Sequence, residues 1–156
     1  MTDMNHLDAE GRVRMVDVGE KDVTERRAIA RSTVAMDRST SERLFGGDLP
    51  KGDALAIVRI AAIQATKRTS ELIPLCHPLP IDGVQVSVER CAEGATITVA
   101  VAVTARTGVE MEAMTGAAIG ALTLYDMVKG IDRSASVIEV ALIEKTGGRS
   151  GVWRRE

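Results

Sequence analysis

From Ala113 to Tyr125 the chain carries no charged residue, and most of this stretch is Ala, Gly, Leu, Ile and Met. A helix that is apolar on every side has to be buried on every side. The segment is therefore expected at the centre of the fold. Glu110 and Glu112 precede it; Asp126 and Lys129 follow it, at helical-neighbour spacing. An acid and a base at the buried end of such a helix are costly unless they are paired or used. The bland alternative is a helix-end ion pair in which Lys129 complements the dipole. The charge-free helix leading into the pair favours chemistry.

With 156 residues the chain can bury one core without staples, and a single domain over 1–156 is expected. It has one Phe, one Trp and one Tyr, so the core must be aliphatic and Ala-rich, which brings backbones close together. A net charge of -2 offers no field to draw in nucleic acid or a membrane, and any basic site has to be a local cluster. Cys76, Cys91, His6 and His77 do not make a tetrahedral set, so no protein metal site is expected. Nothing in the cysteine usage suggests a secreted disulfide scaffold. Residues 1–20 lack the basic flank and apolar core of a signal peptide, and no apolar run is long enough to span a bilayer. A cytoplasmic protein is the expectation.

The polar N-terminus, about residues 1–14, is expected to be flexible, with Met15–Val18 as a docking strand. Weak alternation over Thr24–Met36 predicts a strand, and Thr40–Phe45 a short helix stopped by Gly46 and Gly47. Asp53–Thr69 predicts a strong helix, closed by the proline-rich turn Ile73–Pro80. Val84, Val86 and Val88 alternate with polar residues, turn at Cys91–Gly94 and return through Ala95–Val103 as a hairpin. A helix from about Gly108 to Gly130 follows, then a strand over Ser136–Ile143 and a basic tail over about 145–156. Strand, helix, two strands, helix, strand is the split βαβ order of a ferredoxin-like sandwich, an α+β fold with two main helices on one face of an antiparallel sheet. The apolar surface left over predicts a homo-oligomer.

Several residues invite chemistry. His77 lies in a stiff turn between Cys76 and Pro78, where the backbone would fix its ring for hydrogen bonding or acid–base work. Lys51 sits at a helix start, where backbone amides already favour an anion. Lys67, Arg68, Lys129, Lys145 and Arg149 are the other cations available to a phosphate pocket, though for any one of them a solvated surface is the plainer reading. Glu110 and Glu112 suit a helix start electrostatically and could equally face a ligand. An RNA-binding version of the fold would need stacking aromatics on its central strands; Val84–Val88 and Ile97–Val103 hold none. A non-catalytic module that binds a small anion is the rival reading, and exposure of both Asp126 and Lys129 would favour it.

Five motifs together resemble one family. They are Met15-Val16-Asp17-Val18, Leu49-Pro50-Lys51-Gly52-Asp53, the run Lys67–Leu79 around Leu75-Cys76-His77, Gly108–Ala113, and Leu124-Tyr125-Asp126-Met127-Val128-Lys129. From about His6 to Trp153 the chain resembles the molybdenum cofactor biosynthesis protein C family, the cyclic pyranopterin monophosphate synthases. Small departures are Gly116, Gly120 and Gly130, where Ala or another small residue is expected.

The resemblance implies a ferredoxin-like fold assembled as a hexamer of three dimers, with sites at subunit interfaces. It implies conversion of (8S)-3′,8-cyclo-7,8-dihydroguanosine 5′-triphosphate, supplied by a radical SAM GTP 3′,8-cyclase, to cyclic pyranopterin monophosphate with release of diphosphate. Asp126 is then the acid–base residue, with Lys51 and Lys129 beside it in catalysis. Leu75, Cys76, His77, Glu110, Met111 and Glu112 would receive the purine-derived rings, and Lys67 and Lys145 the triphosphate. The resemblance implies no dedicated metal or cofactor; Mg²⁺ would come with the triphosphate.

Overall fold

The computed structural model describes residues 6–8 and 10–156. Its elements are β1 (Thr24–Ala35), α1 (Arg38–Gly46), α2 (Ala54–Lys67), α3 (Thr69–Leu72), β2 (Gly83–Arg90), β3 (Gly94–Ala105), α4 (Glu110–Val128), β4 (Ser136–Thr146) and β5 (Trp153–Arg154). The strands form one sheet in the order β2-β3-β1-β4-β5, antiparallel at every pairing. The first four strands and the two long helices reproduce the split βαβ order expected from the sequence.

Alternation explains the core. Ala28, Ala30, Ser32 and Val34 of β1 point to the helix side, beside Val101, Val99, Ile97 and Ala95 of β3, and all are buried. The opposite side of β1 carries Arg27, Ile29, Arg31 and Thr33. Small side chains bring α4 down onto the sheet, where Ser32 Oγ donates to the Ala117 carbonyl at 2.8 Å. They also bring α2 onto α4. A Cβ on Gly116 would stand 2.5 Å from Thr66 Oγ1, a hydroxyl that already donates to the carbonyls of Ala62 and Glu112. Gly116→Ala is therefore expected to destabilise the fold by roughly 1–3 kcal/mol, as overpacking does; the denaturation midpoint checks it.

Two helix ends were legible. Asp53 caps α2, its carboxylate accepting from Ala56 N at 3.0 Å, and Gly47 closes α1 in the left-handed region at φ 75. Other details differ from the sequence expectation. The short α3 interposes between α2 and the proline turn. Met15–Val18 lies against the body without joining the sheet. Part of the expected flexible terminus falls outside the described residues; within them, Leu7 and Val13 form a β-bridge. β4 continues past Ile143 to Thr146, and Trp153–Arg154 return as β5 to pair with Glu144 and Lys145, so strand pairing extends into the predicted tail.

The largest departure concerns α4. Ala113, Ala117, Ala121 and Leu124 are fully buried, but Leu122 is 55% exposed and Met111 41%. The sheet and α2 cover only part of its circumference, and one apolar stripe stays open in a single copy.

Asp132, just beyond α4, is a buried carboxylate held by several hydrogen bonds, one of them from the Thr40 side chain of α1. It accepts from the N–H groups of Asp37, Ser134 and Ala135 and from the Ser134 hydroxyl at 2.6 Å. The Ser134 hydroxyl, helped by the Asp37 and Ser134 N–H groups, holds this carboxyl below its ordinary 3.8. A lowered folded-state pKa stabilises the protein fully above the unfolded value and loses that contribution as pH falls through the folded one. Asp132→Ala should cost roughly 3 kcal/mol at neutral pH by stranding buried donors. The deficit should shrink on acidification, which denaturant titration across pH would show.

Candidate active site

The predicted site residues fall into two groups at opposite ends of α4. At its start, the loop after α3 meets the first turn of the helix. Leu75, Cys76, His77, Glu110, Met111 and Glu112 line one cleft of about 840 Å³, walled on the other side by Val16 and Val18. His77 Nε2 donates to the Val16 carbonyl at 2.8 Å. A carbonyl only accepts, so Nε2 carries a proton in this contact. The Met15–Val18 segment thus orients the histidine, although not as a strand.

Glu112 is 4% exposed yet lines this mostly apolar cleft. Burial pushes its carboxyl above the ordinary 4.5, and the neighbouring charge of Glu110 adds to the rise. Burial likewise raises the Cys76 thiol, with the Glu112 charge contributing, so Cys76 is a packing and contact residue rather than a ready nucleophile. A nearly buried carboxylate at the floor of an apolar cleft suits a planar ring that offers N–H donors. Glu112→Gln keeps the shape but replaces one acceptor oxygen by a donor. It is expected to raise KM by about tenfold with a smaller effect on kcat, in steady-state kinetics.

Glu110 closes the cleft on one side by pairing with Lys145, 3.2 Å away. Beyond this pair lies a second cavity of about 730 Å³, whose lining holds five cations, Lys21, Arg26, Arg106, Lys145 and Arg149, against three carboxylates, Glu20, Asp22 and Glu110. The guanidinium of Arg26 donates to the carbonyls of Ala105 and Arg106 at 3.0 and 3.2 Å and rests against Gly148. Thr24 Oγ1, on the same wall, is buried without a hydrogen-bond partner among the described residues. Lys21, Arg26 and Arg106 were missed in the sequence. The available signal was Arg26, which continues inward the series Ala28, Ala30, Ser32, where an unpaired charge is out of place.

At the other end of α4, Asp126 lies between two ammonium groups. Lys51 Nζ is 2.8 Å from Oδ2 and also donates to the Asp126 carbonyl at 2.7 Å; Lys129 Nζ is 2.7 Å from Oδ1. The loop before α2 delivers Lys51, and the last turn of α4 delivers the other two. Hydrogen bonds from Lys129 first, then Lys51, lower the Asp126 carboxyl to about 2. The same carboxylate raises the Lys129 ammonium above its ordinary 10.5. The expectation of apolar surroundings for Asp126 does not hold in one copy, where its side chain is 53% exposed and that of Lys129 50%, the exposure that the anion-binding module would show. It sits at the end of the open stripe of α4 rather than beneath it.

α2 runs antiparallel to α4, since Lys51 reaches Asp126 at one end and Thr66 reaches Glu112 at the other. Lys67, the last residue of α2, is therefore at the cleft end, exposed and outside the cleft lining. From Glu112 to Asp126 the helix climbs fourteen residues, about 21 Å at 1.5 Å per residue. One copy does not bring the cleft and the Asp126 triad together.

The fold and site define a ferredoxin-like α+β protein with a small-molecule cleft, a basic cavity beside it and a lysine–aspartate–lysine cluster. A model of the MoaC family matches residues 15–148, and the chain belongs to that family. A protein of Thermomicrobium roseum named cyclic pyranopterin monophosphate synthase is 50% identical over 161 aligned residues, covering 100% of this chain and 95% of the relative. Proteins of the same name from Roseiflexus sp. strain RS-1 and Novosphingobium aromaticivorans are 52% and 47% identical. The alignments cover 97% of this chain and 97% of the relative in the first case, and 99% and 98% in the second.

Proposed function

We propose that this chain is a cyclic pyranopterin monophosphate synthase of molybdenum cofactor biosynthesis. It converts (8S)-3′,8-cyclo-7,8-dihydroguanosine 5′-triphosphate, the product of a radical SAM GTP 3′,8-cyclase, to cyclic pyranopterin monophosphate and diphosphate. Family membership and full-length relatives of that name support the reaction. The observation that carries the chemistry is the clamp of Lys51 and Lys129 on Asp126.

Ring opening, pterin closure and pyran closure each move protons to and from nitrogen, carbon and oxygen, which calls for fixed donors and acceptors. Lys51 and Lys129 are charged donors, and Asp126 is the acceptor through which a proton passes between them. A carboxylate lowered to about 2 is a weak base at rest. It becomes useful when the substrate's own charges draw the lysines away. Formation of the cyclic phosphate expels diphosphate, and cations must stabilise the charge that develops there. Lys67 and Lys145 serve that end, with Arg26 of the basic cavity beside Lys145. Any Mg²⁺ enters with the triphosphate as part of the substrate. The Leu75–His77 turn, Met111 and Glu112 hold the purine-derived rings, with Glu110 as a second contact.

The roughly 21 Å between the two halves supports a site shared with a second copy. The open stripe of α4, with Leu122 exposed and Asp126 at its end, is the surface on which that copy would lie. Covering it would also take Asp126 out of water, as the sequence led one to expect. The working form is a homohexamer, a trimer of dimers, in the cytoplasm. Among the described residues no helix is long and apolar enough to cross a membrane. Incubation of purified protein with enzymatically prepared cyclo-dihydro-GTP should yield diphosphate and the pyranopterin. A folded oligomer that yields neither would leave the anion-binding module as the better reading.

A further inference from the structure

Asp132 takes no part in the reaction described above, yet its carboxylate joins the turn after Lys129 to the start of α1, the helix whose far end opens into the Lys51 loop. Lys129 is the C-cap of α4, and the N–H groups of Ile131 and Asp132 both fold back onto the Val128 carbonyl. From that turn, Asp132 Oδ1 accepts from Ser134 N, Ser134 Oγ and Ala135 N, and Oδ2 accepts from Asp37 N at 2.8 Å. Asp37 is the N-cap of α1, the helix that leads into the loop bearing Lys51. One buried carboxylate thus ties the root of the Lys129 turn to the root of the Lys51 arm.

We propose that Asp132 is a positioning residue for the lysine clamp, holding Lys129 and Lys51 at the separation at which both reach Asp126. It touches no substrate and acts through Lys129 and the α1 arm. The proposal rests on the synthase reading for its kinetic consequence, but its geometric part stands without it. The groups facing Asp126 among the described residues of one copy are Lys51 and Lys129, with Tyr125 beside Lys129.

Two substitutions separate positioning from bulk stability. Asp132→Asn keeps the shape, but its amide turns an N–H donor toward one of the donor sets. Asp37→Pro removes the Asp37 N–H together with a side chain that makes no capping hydrogen bond; φ of -58 at Asp37 already suits proline. The first readout is the ¹³C chemical-shift titration of the Asp126 carboxyl in the intact oligomer, which needs no substrate. Wild-type protein should titrate below the ordinary carboxylate range, held there by the two lysines, and both variants higher than wild type. The second readout is turnover, where kcat should fall about tenfold with KM held within about twofold.

An Asp126 midpoint and a kcat that stay at wild-type values in a folded Asp37→Pro protein would overturn the proposal. Loss of fold in both variants would do the same, because it would leave Asp132 with stability alone. Wild-type protein that shows the low Asp126 midpoint but no turnover would sink the synthase reading and leave the positioning result standing.

Discussion

Asp126→Ala is expected to lower kcat by roughly 10²–10⁴-fold while leaving the fold intact. Its side chain lies at the surface of one copy, so no core packing is lost. Its removal instead leaves two ammonium groups converging on an empty point. Mutual repulsion would then lower at least one lysine, and the relay between them disappears. The pH profile gives the sign. In the wild type, Asp126 is ionised above about 2 and Lys129 is protonated up to a raised value, so this pair imposes no limb over about pH 5–8. In Asp126→Ala the Lys129 support is gone, and the residual rate should fall away at lower pH on the basic side. Steady-state kinetics on prepared substrate across pH, with circular dichroism as the folding control, tests both. Near-wild-type turnover would remove Asp126 from the mechanism.

The second large effect is complementation between inactive variants. If each site takes its cleft from one copy and its Asp126 triad from another, Asp126→Ala and Glu112→Ala proteins should each be nearly inactive. Unfolded together and refolded, they should recover activity. In a two-copy interface with two such sites, random mixing makes half the pairs hybrid. One of the two sites in each hybrid is fully wild type, which gives about a quarter of wild-type activity. The roughly 21 Å along α4 is the reason for this expectation. No recovery from a mixture shown to contain hybrids would mean that each copy completes its own site by another route.

How far the residues themselves spoke is clearest in α4. Its lack of charge over Ala113–Tyr125 announced a central helix, and Ala113, Ala117 and Ala121 are indeed without exposure. The same lack of charge promised burial all round. The sheet and α2 cover only part of the helix, so Leu122 stands open. Asp126 and Lys129 were legible as neighbours because helical spacing is a local property. Lys51 as the third member could not be read from spacing, since 75 residues of chain separate it from Asp126. Arg26 was hidden differently. It reads as one more strand arginine until the register shows that it points to the helix side at the rim of the basic cavity.

Residue pattern alone set the alternation that makes β1, β3 and β2 a sheet with one apolar side. It also determined the caps at Asp53 and Gly47, the proline-stiffened turn that carries His77, and the buried series that seats α4. These are short-range consequences of side-chain shape, backbone freedom and period. Only the tertiary structure decided which charges meet. It set Lys51 against Asp126, Lys145 against Glu110, and the Asp132 carboxylate against the Asp37 amide. It also put Glu112 and Asp126 at opposite ends of one rigid rod. Electrostatic contact is fixed by distance in space, and a chain's spacing does not encode that distance until the helices have packed.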